Sequence, residues 1–270
     1  MTGGLAGRVA IITGATQAMG ETIASHLAAR GAAIIGVGRS VDRGEAVATR
    51  LHEAGHDAQF VVADVSREQD VARAIGAAVA RHGRLDIVVN NAAAFDARET
   101  AAHEESTDTF DAILKVGLYA PFWFAKYGIP AMISGARGGN FVNISSFASA
   151  RGVRGLPAYT ASKGGVEALT RQLAAEYADQ NVRVNALVLG SIIVPRNAPL
   201  HDDEAASDAM RRARMIARPG VPDDVAAAVA FLVSDEAGFI TGASISVDGG
   251  LLGNAPMIKS MHALDNERSR

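Results

Sequence analysis

Short apolar runs alternate with longer alanine-rich stretches along almost the whole chain. "RVAIIT" at 8–13 precedes a helical pattern over 19–30, "AAIIGVG" at 32–38 precedes another over 43–54, and "AQFVVA" at 58–63 and "LDIVVN" at 85–90 bracket a third over 67–82. The rhythm continues to "RVNALVL" at 183–189 and "SISVDGG" at 244–250. Runs that are apolar throughout, rather than at every second residue, belong to strands covered on both faces. Their regular separation by helices calls for parallel pairing through right-handed crossovers. An α/β, doubly wound parallel sheet of the Rossmann type is therefore expected. There is no Ser/Pro linker, low-complexity block or fixed-period repeat, so a single domain is the simplest account.

The 270 residues are 49% hydrophobic, enough for a substantial core, and the net charge of −3 gives no general attraction to nucleic acid or to an anionic membrane. A small-molecule partner is expected, with no nucleic acid and no membrane. Cysteine is absent, which removes disulfide and thiolate chemistry. The opening "MTGGLAGRVAIITG" lacks the basic flank and apolar core of a signal peptide, and "NALVLGSIIVP" is too short for a membrane span. A cytoplasmic location is the default. One segment breaks the rhythm: residues 191–220 carry "HDDEAASD" and "MRRARMIARPG", too long for an ordinary connection, and are read as a lid over the site. The catalytic domain is assigned to 1–253, and 254–270 to a polar tail.

Two motifs carry chemistry. "IITGATQAMGETIASHLAARG" puts Gly14 directly after the first strand and Gly20 at the head of the first helix, an arrangement that turns backbone N–H groups and a helix N-terminus toward a pyrophosphate. "AYTASKGG" puts Tyr159 four residues before Lys163 on one helical face, thirteen residues after Ser146 at the end of the strand in "GNFVNISS". A cation beside a phenol favours the phenolate, so Lys163 is the expected source of charge for Tyr159. A hydroxyl at Ser146 can bond an oxygen on which charge develops. Ser145 is read as structural.

Together these motifs resemble the short-chain dehydrogenase/reductase family over about residues 5–250. The resemblance implies an oxidoreductase that interconverts a secondary alcohol and a ketone, with Ser146, Tyr159 and Lys163 as the catalytic set and no metal. It also implies a cofactor site built from Gly14, Thr16, Gln17, Met19, Gly20, Arg39, Ser40, Asp64, Val65, Asn91, Ala92, Tyr159, Lys163, Gly190 and Ile192, and association into a homotetramer or homodimer through helices 107–127 and 159–178. Where the family carries an acid to bind a ribose hydroxyl, this chain has Gly38 followed by Arg39. That substitution favours NADP over NAD.

Five positions depart from the family pattern: Ala18 and Ala93 replace glycines, Gly117 an asparagine, Leu189 a proline, and Val194 a threonine at the nicotinamide. Their accumulation motivates a second reading, a cofactor-binding scaffold whose redox activity has decayed. Dehydration or isomerisation on the same fold is a third. Phe95, Phe147 and apolar residues within 151–156 and 192–195 are expected to line a partly apolar pocket suited to a cyclic substrate. Two motifs are discounted. "HEAGH" at 52–56 spells a zinc-protease pattern, but Gly55 reads as a helix stop that leaves His56 outside, and "NIS" at 143–145 lies on a core strand.

Overall fold

The structure, a computed structural model, describes residues 4–94, 98–134 and 137–254. The β-branched runs pair as expected: β1 (Val9–Thr13), β2 (Ala33–Gly38), β3 (Ala58–Val62), β4 (Ile87–Asn90), β5 (Gly139–Ser146), β6 (Val182–Leu189) and β7 (Ser244–Val247) form one parallel sheet in the order β3-β2-β1-β4-β5-β6-β7. The order reverses at β1, whose neighbours are β2 and β4. All five residues of β1 are buried because its two faces meet different helices. Ala10 and Ile12 join a core with Ile23 and Leu27 of helix α1 (Ala18–Ala28) and Val229 of α9 (Pro222–Leu232). Val9 and Ile11 face Val71 and Ile75 of α3 (Glu68–His82) and Phe124 of α5 (Ala120–Ser134).

The remaining helices are crossovers on the sheet faces or lie beyond the strand ends. They are α2 (Val41–Glu53), α4 (Thr107–Leu114), α6 (Pro157–Tyr177), α7 (Ala198–Asp202) and α8 (Glu204–Ala213). Helix α2 stops at Glu53 and Gly55 turns the chain at φ 84°, so His52 and His56 do not share a helical face. Asn143 is buried on β5, where its side chain joins Asn90 and Thr170.

The 191–220 segment is longer than a connection because it contains α7 and α8, which the sequence pattern did not disclose. Its two ends are stitched together: Ile192 and Gly220 form a parallel bridge, the Ile193 N–H donates to Gly220 O at 2.9 Å, and the Gly220 N–H donates to Ser191 O at 3.2 Å. Within that stem the Ser191 hydroxyl meets His201 Nε2 at 3.2 Å. Of the residues singled out from the sequence, Phe95 and positions 255–270 of the tail lie outside the described residues.

The turn from β1 into α1 explains why the family favours glycine at position 18. Ala18 sits at φ 48°, in the left-handed region, between extended Gln17 and the first turn of α1. A Cβ in that conformation crowds the following carbonyl and costs roughly 1–2 kcal/mol. Ala18→Gly is therefore expected to stabilise the fold by about 1 kcal/mol after allowing for glycine's extra unfolded-state entropy. The midpoint of chemical denaturation measures this, and an unchanged or lower midpoint would remove the strain from position 18.

Candidate active site

The site opens where β1 and β4 part. Thr13 at the end of β1 is locked to the chain leaving β4: its Oγ1 accepts from the N–H groups of Asn91 and Ala92 at 3.0 and 2.9 Å, and its carbonyl accepts from Asn91 Nδ2 at 2.8 Å. Gly14 follows at φ 69°, and a Cβ on Gly20 would lie 2.1 Å from Gly14 O. The two glycines thus let the strand end and the head of α1 touch. The first-turn N–H groups of α1 have no carbonyl one turn back to bond and face the cleft mouth.

From this point a cleft of about 1490 Å³ runs along the carboxyl ends of the strands. It is lined by every residue expected to hold the cofactor: Gly14, Thr16, Gln17, Met19, Gly20, Arg39, Ser40, Asp64, Val65, Asn91, Ala92, Gly190 and Ile192, together with Ser146, Tyr159 and Lys163. Phe147, Val153, Leu156 and Val194 line it as well. At the β2 end, a Cβ on Gly38 would meet Thr16 Cγ2 at 2.7 Å, so the acid usual in the family has no room here unless Thr16 moves. A residue that the sequence reading missed stands beside Arg39. Arg43, one helical turn further on, lines the cleft and donates to Gln17 Oε1 at 2.6 Å and Ser40 Oγ at 3.2 Å. The four-residue spacing of the two arginines was the available signal.

The opposite half of the cleft holds the Ser, Tyr and Lys. Proline at the first position of α6 suits its φ to a helix start, and the α6 face carrying Ala158, Ser162, Lys163 and Val166 is buried against the sheet. Tyr159 therefore lines the cleft together with Ser146, whose hydroxyl is close enough to act on the phenol. Lys163 lies fully inside: its Nζ donates to Ile144 O at 2.7 Å and sits 5.5 Å from the centroid of the Tyr159 ring. Burial pulls its pKa down from 10.5 to about 8. Burial likewise pushes the Tyr159 phenol above its usual range. The Ser146 hydroxyl and then the charge of Arg196 work against that rise, and Glu99 works with it.

Arg196 is a second cation that acts on Tyr159, in addition to the Lys163 amine 5.5 Å from the centre of its ring. The lysine ammonium is turned to a β5 carbonyl, whereas Arg196 lines the cleft on the 191–220 segment. Glu99 comes to the same place because its carboxylate accepts the Tyr159 backbone N–H at 2.8 Å. Neither residue belongs to a spacing pattern, and sequence reasoning passed both over. Ser145 behaves as read: its hydroxyl donates to Glu167 Oε1 at 2.7 Å and ties β5 to α6.

Two departures from the family pattern find a local cause. Gly117 lies in a π-helical turn (Lys115–Tyr119) between α4 and α5, where a Cβ would fall 2.6 Å from Ser162 Oγ and 2.8 Å from Ser162 Cβ. Glycine there lets the turn pack directly on α6, one residue before Lys163. Beyond β6, the Val194 N–H donates to Asn197 Oδ1 and Asn197 Nδ2 donates to Ile192 O, each at 2.8 Å, so Asn197 fixes the loop that carries Ile192 and Val194.

A family model described as "Enoyl-(Acyl carrier protein) reductase" matches residues 14–252. Among characterised relatives, cis-4-hydroxycyclohexanecarboxylate dehydrogenase from Sinomonas cyclohexanicum is 38% identical over 90% of this chain and 96% of its own length. The 3beta-hydroxysteroid dehydrogenase 1 of Eggerthella lenta is 34% identical over 92% and 94%. A solved structure from Agrobacterium tumefaciens with bound NADP superposes with a TM-score of 0.85 at 32% identity, covering 93% of this chain and 98% of that one.

The Lys163 shift makes stability depend on pH with a definite sign. Between about pH 8 and 10.5 the unfolded chain keeps a proton on this lysine that the folded protein has released, so folding becomes more favourable as pH rises. Wild type is expected to gain stability relative to Lys163→Met from about pH 8 to roughly pH 9.5, below the range in which tyrosines titrate. Denaturation midpoints of the two proteins across that window measure the difference. Parallel curves would show that the amine titrates normally.

Proposed function

We propose, for a chain that belongs to the short-chain dehydrogenase/reductase family, that Tyr159 moves the proton, Ser146 holds the reacting oxygen and Lys163 supports both from below. The protein is an oxidoreductase that interconverts a secondary alcohol and a ketone with a nicotinamide cofactor. The observation that carries the assignment of roles is that Tyr159 and Ser146 line the same cleft, close enough for the serine hydroxyl to act on the phenol, with the Lys163 amine buried next to the ring.

A nicotinamide bound in the cleft supplies the hydride acceptor or donor. Around it the chain does the rest. The Ser146 hydroxyl bonds the substrate oxygen, and Tyr159 donates its proton to that oxygen in ketone reduction or withdraws it in alcohol oxidation. A phenol pushed above its usual pKa rests protonated near neutral pH, ready for the reductive direction. The oxidative direction needs the phenolate and is expected to accelerate as pH rises.

The residues present fit NADP. Arg39 and Arg43 flank Ser40 at the end of β2, and Gly38 supplies no carboxylate to repel a 2′-phosphate. The relatives named above act on ring-borne hydroxyls, and the apolar walls at Phe147, Val153, Leu156 and Val194 suit a cyclic alcohol or ketone here. We further assign the 191–220 segment as a lid hinged at the Ile192–Gly220 bridge. Exposed Tyr119 and Phe122, on the helices that pack beside α6, support assembly into a homotetramer or homodimer. The cysteine-free composition accords with a cytoplasmic enzyme.

Two measurements test this. Tyr159→Phe is expected to lower kcat by at least about a hundredfold, the lower bound for loss of a general acid–base group, while NADPH still binds. Retained turnover would dismiss the role of Tyr159. Calorimetric titration is expected to give tighter binding of NADPH than NADH, with Arg39→Gln combined with Arg43→Gln weakening NADPH by about tenfold or more, the value of one charge-assisted contact. A preference for NADH in the unaltered protein would refute the NADP assignment.

A further inference from the structure

Two arginines of the 191–220 segment line the same cleft as Tyr159, and the proton transfer described above uses neither. Arg196 follows directly on Val194 and Pro195, is exposed at the mouth, and is close enough to Tyr159 for each charge to act on the other. Arg214 is half-buried at the end of α8. Its Nε donates to Ile216 O at 3.1 Å and its Nη2 to Ala217 O at 2.9 Å, while its Nη1 is buried with no partner among the described residues. A buried N–H left unsatisfied costs about 1–3 kcal/mol, more on a charged group, which an arriving acceptor would recover.

Two acids near this part of the cleft accept backbone N–H groups. Glu99 accepts the Tyr159 N–H at 2.8 Å, and Asp248 receives the N–H groups of Gly250 and Leu252 at 2.8 Å each. Phe147, Leu156, Val194, Leu200 and Met210 give the cleft apolar lining on this side, beside the polar Ser191 and Asn197. An apolar slot with hydroxyls on one wall and guanidinium groups on its rim is complementary to a molecule with an alcohol at one end and an anion at the other. Guanidinium favours a planar, two-oxygen anion because its paired N–H groups match that shape.

We propose that the substrate of this site is a hydroxy acid whose carboxylate is received by Arg196, with the orphaned N–H of Arg214 as a second donor. Arg196 is then a specificity-determining residue: it selects alcohols or ketones that bear a carboxylate across an apolar ring or chain. This rests on the oxidoreductase reading for its alcohol end, but the anion end can be tested without turnover.

The experiment pairs an acid with its neutral counterpart. Initial rates with a 4-hydroxycyclohexanecarboxylate and its methyl ester, measured on the full chain with the preferred cofactor, are expected to give a kcat/KM ratio of at least about tenfold in favour of the acid, expressed in KM. In Arg196→Met the ratio is expected to fall close to one, Arg196→Lys to keep part of it, and Arg214→Met to reduce it less. A ratio near one in the unaltered protein, or one that survives Arg196→Met, would overturn the proposal. In parallel, calorimetry compares cyclohexanecarboxylate with its methyl ester as ligands of the cofactor-loaded protein. Tighter binding of the carboxylate that disappears in Arg196→Met supports the anion site even if neither alcohol is turned over, an outcome that would count against the oxidoreductase reading alone. Equal binding of the two ligands would count against the anion site alone.

Discussion

The lock between Thr13 and the Asn91–Ala92 backbone is the interaction on which the rest of the site depends. Parallel strands must part where their crossovers run in opposite directions, and here β1 and β4 part with their ends still bonded through one hydroxyl, one carbonyl and one side-chain amide. The lock fixes where Gly14 lies, and Gly14 fixes how close α1 can come, since no side chain fits between Gly20 and the Gly14 carbonyl. The polar chain continues inward. Asn90 Nδ2 donates to Asn143 Oδ1 at 2.8 Å, Asn143 Nδ2 donates to Thr170 Oγ1 at 2.9 Å, and Thr170 Oγ1 donates to Val166 O at 2.8 Å. Three elements, β4, β5 and α6, are thus registered by buried polar contacts, which are costly to break and tolerate little slippage. The helix carrying Tyr159 and Lys163 is held to the same strand whose end anchors the turn from β1 into α1.

The departures from the family pattern do not act as independent defects. Gly117 gives up a side chain and in return brings the π-helical turn against Ser162, directly beside Lys163. Gly38 removes an acid at a place where Thr16 leaves no volume for one, and two arginines stand next to it. Ala18 alone carries a clear cost, because its backbone keeps the left-handed conformation that glycine adopts freely. Strain of this kind persists when the surroundings over-determine the conformation, and the Gly14–Gly20 contact on the adjoining turn does that here.

What the sequence disclosed follows from which forces write regular patterns. Burial on both faces makes parallel strands continuous apolar runs, so all the strands assigned from such runs occur, and the sheet order follows from crossover rules. Tyr159 and Lys163 were legible because a helix repeats every turn, and Gly14 and Gly20 because close backbone approach admits one residue type. Arg43, Glu99 and Arg196 were not. Arg43 and Arg196 reach the cleft, and Glu99 the Tyr159 backbone, through the path of a loop or the first turn of a helix, and no periodicity marks a side chain whose position is set by tertiary packing. Helices α7 and α8 escaped for a related reason: α7 is a short piece, and the apolar residues of α8, Ala209, Met210 and Ala213, line the cleft within an otherwise charged segment and are not fully buried.

The electrostatics of Tyr159 reflect a division of labour between two cations. A buried ammonium whose pKa has fallen to about 8 is a weak source of field at alkaline pH, since it surrenders its proton before a phenol does. An arginine keeps its charge through that range, even though partial burial lowers the pKa of Arg196. Arg196 therefore remains able to favour the phenolate under the conditions in which alcohol oxidation needs it, while Lys163 is held to the Ile144 carbonyl. A carboxylate bound at Arg196 would cancel part of that field and leave the phenol more firmly protonated. Anchoring of an acidic substrate and tuning of the proton donor are then coupled through one guanidinium.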